Sequence, residues 1–130
     1  MPQTEAGLYS QIVAALATGN RPVIDAASGL QGALKDLPAS VAARLAWSND
    51  WAKSGPFAGA LVEGDAERIR AANEKIAALP GPLVLVQAAS TETIYARNAD
   101  AYCLNWLLEE VSTSINTTAA GGNASLMAIG

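Results

Sequence analysis

The sequence predicts an α/β domain in which helices pack on a mostly parallel sheet of about five strands. Helix-like and strand-like patterns alternate along residues 4–116, as is typical of layered α/β domains. Residues 83–86 are uniformly apolar, a pattern typical of a strand covered on both faces of a parallel sheet. The chain has 130 residues, of which 51% are apolar and 15% charged, so we expect one folded domain and not a disordered chain.

The first half of the chain contains two predicted helix-to-strand units. Residues 4–18 have apolar side chains every four residues, which predicts an amphipathic helix ended by a Gly-Asn pair. The segment at residues 21–24 is short, ends in two β-branched residues and is flanked by turn formers, which predicts a strand. A second short helix is expected to open at Leu37, with a strand at residues 45–47 and a loop at residues 48–56.

The second half continues the alternation. Residues 58–62 form another apolar run, and Asp65 is a suitable N-cap for the best helix pattern in the chain, residues 66–79. A Pro-Gly-Pro sequence ends that helix and leads into the uniformly apolar strand. A helix at residues 101–110 and a last strand at residues 112–116 complete the predicted elements.

These patterns divide the chain into an α/β domain, residues 1–116, and an extended C-terminal tail, residues 117–130. The tail consists mainly of alanine, glycine and small polar residues. Because it has too little apolar bulk to fold by itself, we expect it to lie on another surface and to be mobile in the isolated chain.

The composition excludes several function classes. The absence of histidine removes the commonest general base, the usual serine and cysteine triads and most zinc sites. A net charge of −4 without a Lys/Arg cluster argues against nucleic-acid binding. No stretch approaches the roughly 18 apolar residues that cross a membrane, and the first eleven residues have neither the basic nor the apolar region of a signal peptide, so we expect a cytoplasmic location without membrane insertion.

No motif predicts a catalytic, metal or cofactor site in this segment. Neither of the glycine-rich phosphate-binding motifs of nucleotide-binding proteins occurs. The glycines at 29 and 32 are interpreted as structural, and those at 121 and 122 open no helix pattern. Without a histidine to activate it, Cys103 is interpreted as buried filler and not as a nucleophile. Trp47 and Trp51 could line a ligand pocket, but packing of their loop onto the sheet is the preferred interpretation.

The C-terminal sequence resembles a specific motif. Residues 114–130, SINTTAAGGNASLMAIG, resemble the C-terminal motif of the proline utilization A family of bacterial bifunctional enzymes. The sequences LLEE at residues 107–110 and GPLVLVQ at residues 81–87 are similar to the same region of the longer members. The resemblance implies an interaction role for ten tail residues: Asn116, Thr117, Thr118, Gly121, Gly122, Asn123, Ser125, Leu126, Met127 and Gly130.

The N-terminal unit resembles aldehyde dehydrogenases. Residues 14–24 are similar to the stretch in which a helix ends at Gly-Asn and enters a strand of the cofactor domain. The resemblance implies a three-layer Rossmann-like fold. In that superfamily a Lys-Pro pair follows, and its lysine holds the adenosine ribose of NAD. Asp25 and Ala26 stand in those places here, and a carboxylate reverses the charge of the site, so we expect NAD binding to be lost.

Together, the resemblances imply a non-catalytic domain of a bifunctional enzyme that oxidises proline to glutamate. In the family, an FAD-dependent proline dehydrogenase feeds an NAD-dependent dehydrogenase through an internal tunnel. The domain is expected to contact the other domains of the same polypeptide, chiefly the dehydrogenase domain, and to help seal the tunnel or the interdomain surface. Self-association is left open. The alternatives are a small nucleotide-binding enzyme domain and an independently expressed scaffold protein.

Overall fold

Helices and strands alternate in the computed structural model. It describes residues 1–108, and for residues 98 and 99 it describes the backbone but not the side chains. The helices in that range are α1 (Glu5–Ala17), α2 (Ala39–Ala42), α3 (Ala66–Ala77) and α4 (Thr91–Arg97). The strands are β1 (Val23–Asp25), β2 (Ala46–Ser48), β3 (Gly59–Glu63) and β4 (Leu85–Ala89). No helix among these residues is long and apolar enough to cross a membrane.

The two long helices begin at the residues that their capping chemistry favours. The Thr4 hydroxyl accepts a hydrogen bond from the Gly7 N–H at 3.0 Å, which caps α1. The Asp65 carboxylate accepts one from the Arg68 N–H at 2.9 Å, which caps α3. Both predicted helices are confirmed, with ends that differ from the predicted ones by two residues or fewer.

The strands form two separate parallel pairs. β1 pairs with β2, with Val23 opposite Ala46, and β3 pairs with β4, with Gly59 opposite Leu85. Within residues 1–108, no backbone hydrogen bond joins β1 to β3. The predicted strand at residues 112–116 lies outside the described residues, so the single sheet of about five strands stays a prediction.

Three apolar clusters hold these elements together. In the first cluster α1 packs on β1. In the second, α1 packs on α4 and on the C-terminal end of β4. In the third, β3 packs on α3. The first cluster contains Leu8, Ile12 and Ile24; the second Ala14, Ala89, Ile94 and Tyr102; the third Val62, Ala72 and Ile76. Since α1 contributes to two of the clusters, it joins the two strand pairs into one core.

The structure corrects three expectations. The helix predicted at residues 101–110 is wrong over its described part, where two short 3-10 turns, Asn98–Ala101 and Leu104–Leu107, stand instead. Tyr102 interrupts a helix there because it adopts an extended backbone and buries its ring. Cys103 is exposed and not buried. The strand predicted at residues 83–86 begins later, and Leu83 is 99% exposed.

A cavity of about 940 Å³ separates the two strand pairs. Its walls include three consecutive residues of β1 and the first three of β3, but none of β2 or β4. Side chains of α1 and α3 close it, and Trp106, Leu107 and Leu108 also contribute to its lining. The inner edges of both pairs therefore face the same space, which we call the inter-sheet cleft.

Candidate functional site

The carboxyl ends of β1 and β3 are where an α/β protein of this kind would bind a ligand. α1 begins beside them, and the N-terminus of a helix favours anions because its first N–H groups have no partner inside the helix. Asp25 ends β1 and Glu63 ends β3. We therefore treat these two carboxylates and the start of α1 as the candidate site.

The Glu63 carboxylate fills the anion position at the start of α1. Its Oε2 accepts hydrogen bonds from the backbone N–H groups of Gln3, at 2.6 Å, and Thr4, at 2.9 Å. Its Oε1 accepts one from the Thr4 hydroxyl at 2.7 Å and one from the Thr91 hydroxyl at 3.2 Å. Glu63 is fully buried. A buried carboxylate of the protein itself therefore lies beside the N-terminus of α1, the end of a helix that favours anions.

Gly7 makes this arrangement possible. It lies in the first turn of α1, directly against the Glu63 carboxylate, and a Cβ at this position would overlap the carboxylate oxygens. Glycine is unfavourable inside a helix by about 1 kcal/mol relative to alanine. The close approach of the Glu63 carboxylate therefore requires glycine at position 7, although helix propensity alone would favour alanine there.

The backbone around Glu63 is also held in place. The Arg68 Nε donates to the Glu63 carbonyl at 3.0 Å, and its Nη2 donates to the Pro2 carbonyl at 3.3 Å. Gly64 has a φ of +155°, a conformation that side chains other than glycine rarely adopt. Arg68 thus ties the end of β3 to the segment that precedes α1, and the carboxylate has little freedom to leave its position.

Asp25 has a local structural role. Its Oδ1 accepts a hydrogen bond from the Ala27 N–H at 3.0 Å, which caps the 3-10 turn Ala26–Ser28, and its carbonyl accepts from the Ser28 hydroxyl at 2.7 Å. Asp25 also contributes to the lining of the inter-sheet cleft. The Asp25 carboxylate therefore caps the turn after β1. It also places negative charge at the position where the lysine of aldehyde dehydrogenases, by the resemblance, holds the cofactor ribose.

The site has little capacity for chemistry. Glu63 is buried and fully hydrogen-bonded, so it cannot contact a substrate, and Asp25 has no histidine or cysteine partner. Among residues 1–108, no group of three or more metal-ligating side chains could hold a metal ion. Glu63 already accepts hydrogen bonds from the N–H groups of Gln3 and Thr4, the two residues that precede α1, and its negative charge lies beside the N-terminus of the helix.

The other residues singled out by the sequence lie elsewhere. Trp47 packs against the first apolar cluster, in agreement with the packing interpretation, whereas Trp51 packs against the third cluster and also lines the inter-sheet cleft. Trp51 also contacts Phe57, with ring centroids 6.3 Å apart. The ten tail residues predicted to form an interaction surface, from Asn116 to Gly130, lie outside the described residues, as do Glu109 and Glu110.

Sequence reasoning missed the central residue of the site. Neither Glu63, which directly follows the apolar run of residues 58–62, nor Gly7 was singled out. Two signals could have found them: a charged residue directly after the apolar run of residues 58–62, and a glycine in the first turn of a strong helix pattern. Neither signal, however, indicates that the two residues touch, because 56 positions separate them in the sequence.

A second polar cluster holds the segment that leads to the tail. The buried Tyr102 hydroxyl accepts a hydrogen bond from Gln11 Nε2 at 2.9 Å and donates one to the Val62 carbonyl at 3.2 Å. Gln87 Nε2 donates to the Cys103 carbonyl at 3.0 Å, and the Cys103 N–H donates to Gln87 Oε1 at 2.7 Å. These contacts fix the chain beside β3 and β4 before it reaches the tail.

Replacing Tyr102 by phenylalanine should lower the free energy of unfolding by about 2 kcal/mol, because the Gln11 amide and the Val62 carbonyl lose a buried partner. Urea denaturation at pH 7 measures this change. Replacement of the exposed Tyr95 by phenylalanine is the matched control and should change the value by less than about 0.5 kcal/mol. Equal effects of the two replacements would contradict the role given to the Tyr102 hydroxyl.

Tyr102→Phe also tests a pH dependence of stability. Burial raises the pKa of the Tyr102 hydroxyl to about 12, from an ordinary value of 10.0. Between these two pH values the unfolded chain has lost the proton that the folded chain retains. The stabilising contribution is therefore complete below pH 10 and is lost as the pH rises towards 12. Urea denaturation at pH 9 and pH 11 should show this loss in the parent chain and a smaller one in Tyr102→Phe.

Comparison with known proteins identifies relatives of the whole chain. No protein-family model matches it. Over 130 residues, all of the chain, it is 75% identical to the Bifunctional protein PutA of Rhizobium meliloti. The chain is similar to a segment of PutA proteins. The PutA proteins of Salmonella typhimurium and Escherichia coli are 36% and 35% identical over 127 residues, or 97% of the chain.

The chain spans about a tenth of the length of these PutA relatives: 10% of the Rhizobium protein and 9% of the other two. The predicted resemblance to proline utilization A proteins is therefore confirmed at the level of homology. Because the match to the Rhizobium PutA covers the whole chain, it includes both the candidate site around Glu63 and the tail.

Proposed function

We propose that the chain is a non-catalytic, aldehyde-dehydrogenase-like domain at the C-terminus of a bifunctional PutA enzyme that oxidises proline to glutamate. Its role is to support the dehydrogenase domain and to help seal the tunnel or the interdomain surface through which the intermediate passes. The remaining PutA domains, with their FAD and NAD sites, carry the chemistry. A cytoplasmic location and a Rossmann-like sheet of about five strands are part of the same proposal.

The observation that carries the non-catalytic role is the position of Glu63. A nucleotide-binding α/β domain leaves the N-terminus of the helix beside its switch point open for a pyrophosphate. Here a buried carboxylate accepts hydrogen bonds from two backbone N–H groups and one hydroxyl at that N-terminus. A second anion at this position would face both steric exclusion and charge repulsion. Asp25 adds a further carboxylate at the neighbouring strand end.

The alternatives predict different binding behaviour. A small nucleotide-binding enzyme domain would bind NAD, whereas the proposed structural domain would not bind it. An independently expressed scaffold protein would show neither NAD binding nor any dependence of glutamate formation from proline on its presence. The similarity to PutA along the full chain favours the structural domain over the scaffold.

Isothermal titration of the chain with NAD should show no binding at micromolar concentrations, because Glu63 and Asp25 place negative charge where the phosphates and the ribose would lie. A dissociation constant in the micromolar range would contradict the proposed role and support the nucleotide-binding alternative. Titration of an active NAD-dependent aldehyde dehydrogenase under the same conditions is the positive control.

The structural role itself is tested in the complete enzyme. Removal of residues 117–130 from the full-length protein should leave proline oxidation intact but lower the formation of glutamate and release the semialdehyde intermediate into solution. Trapping of the free intermediate by an amine reagent measures that release. Equal glutamate formation with and without the tail would contradict a role in sealing the tunnel or the interdomain surface.

A further inference from the structure

The segment that precedes the tail is held to the core mainly through its backbone. We call residues 102–108 the strap. Tyr102 is buried and Leu107 is half-buried, but the other side chains of the strap are exposed. Beyond these two residues the strap therefore buries little apolar surface, and its position depends on polar contacts with the core.

Gln87 holds the start of the strap. Its Nε2 donates a hydrogen bond to the Cys103 carbonyl at 3.0 Å, and its Oε1 accepts one from the Cys103 N–H at 2.7 Å. Gln87 is itself buried in β4, opposite Leu61 of β3, so its carboxamide has a fixed origin. Because both backbone groups of one residue are bound, the contact fixes the orientation of the strap as well as its place.

Asn20 holds the end of the strap. Its Nδ2 donates to the Leu107 carbonyl at 2.7 Å and to the Thr18 hydroxyl at 2.9 Å. The N–H of Asn20 donates to the Ala15 carbonyl at 2.9 Å, one of the hydrogen bonds that end α1. The carboxamide is therefore fixed at the end of a long helix, whereas Gln87 lies on a strand.

The two contacts determine where the tail starts. They bind the strap at positions 103 and 107, and they come from two different elements of the core. Two fixed points set the direction in which the chain continues as well as its position. Residues 109–116 connect the strap to the tail, and a connection of this length spans at most about 30 Å. The tail therefore starts within that distance of a fixed origin.

We infer that Asn20 and Gln87 are positioning residues for the tail, and that by holding the backbone of the strap they keep the tail against the interdomain surface that it is proposed to seal. The inference rests on the proposed function. Release of the strap would lengthen the connection before the tail from residues 109–116 to residues 103–116, which is from 8 to 14 residues. The effective concentration of a tethered group falls roughly as the −3/2 power of the tether length, so that of the tail would fall about twofold.

The test measures the escape of the semialdehyde intermediate from the full-length enzyme in three variants: Asn20→Ala, Gln87→Met and the two together. Methionine keeps the length of Gln87 without its hydrogen bonds. The double variant should release at least about twofold more free intermediate to an amine reagent, with proline oxidation unchanged. Hydrogen exchange of residues 102–108 should be at least about fivefold faster, because the strap has lost the hydrogen bonds that hold it.

Gln31→Ala is the matched control. The Gln31 carboxamide also binds a backbone carbonyl, that of Ala26 at 3.3 Å, but this contact lies within the turns that follow β1. Its loss should change neither the release of the intermediate nor the exchange of the strap, and equal release from this control and the double variant would overturn the inference. If Gln87→Met fails to fold, Asn20→Ala provides the same comparison, because Asn20 is only half-buried.

Removal of residues 117–130 separates positioning of the tail from a general loosening of the fold. Without the tail, the double variant should add no further release, because its effect acts through the tail. The same increase with and without the tail would overturn the inference. A double variant that retains the intermediate, in an enzyme that leaks when the tail is removed, would also overturn it and leave the proposed function standing. If removal of the tail itself causes no release, the proposed function fails and the inference fails with it.

Discussion

Replacement of Glu63 by alanine is expected to lower the free energy of unfolding by about 4 kcal/mol, because several buried donors lose their acceptor at once. These donors are the N–H groups of Gln3 and Thr4 and the Thr4 hydroxyl. The loss also removes a negative charge from the N-terminus of α1, where it stabilises the helix. Urea denaturation followed by circular dichroism measures the change.

Two further variants make this result interpretable. Glu63→Gln keeps the size of the side chain and one acceptor oxygen, so a loss of about 2 kcal/mol is expected even if the alanine variant fails to fold. Glu67→Ala removes an exposed carboxylate from the first turn of α3 and should cost less than about 0.5 kcal/mol. A Glu63→Ala variant as stable as Glu67→Ala would show that the buried carboxylate does not hold the start of α1.

Replacement of Gly7 by alanine should lower the free energy of unfolding by about 2 kcal/mol, although the same change inside an unobstructed helix stabilises it by about 1 kcal/mol. The reason is the overlap between the added methyl group and the Glu63 carboxylate. Either the carboxylate must leave its position or α1 must shift. Urea denaturation again provides the measurement.

The control for Gly7→Ala is Gly32→Ala. Gly32 lies in the 3-10 turn Leu30–Leu34, and an added Cβ there would meet no atom within 4 Å. Its replacement should be neutral or slightly stabilising. The double variant Gly7→Ala with Glu63→Ala completes a cycle: the alanine at position 7 should cost at least about 1 kcal/mol less when the carboxylate is absent. Strict additivity would contradict direct contact between the two residues.

These variants also bear on function. If Glu63 blocks nucleotide binding by occupying the start of α1, then its structural and functional effects have the same origin. On the proposed function, the carboxylate that stabilises the domain is also the group that keeps a phosphate away from the start of α1. A domain that serves assembly can use such a contact, whereas a dehydrogenase domain must keep that position open.

Much of the secondary structure could be predicted from the sequence, because local signals determine it. The caps Thr4 and Asp65 and the apolar periodicity after them locate α1 and α3. The predictions fail where long-range contacts override local patterns. Tyr102 and Cys103 lie in an apolar run that resembles a helix, but hydrogen bonds to Gln11 and Gln87 hold this segment in extended and 3-10 conformations.

The candidate site could be predicted only in part. Asp25 was identified from the resemblance to aldehyde dehydrogenases, because it stands in the place of their cofactor-binding lysine, and its charge is a property of the sequence alone. Glu63 was missed because its role depends on the packing of the end of β3 against the start of α1. A residue type and its distance along the chain do not reveal which helix N-terminus a carboxylate will reach.

The sequence by itself determined the alternation of helices and strands, the resemblance to PutA proteins and the scarcity of reactive side chains, because composition, periodicity and motifs are local properties. Only the tertiary structure decided that Glu63 occupies the anion position of α1, that Gly7 must lack a side chain, and that β1 and β3 face a common cleft. These features depend on which distant segments meet in space, and that is set by packing of the whole core.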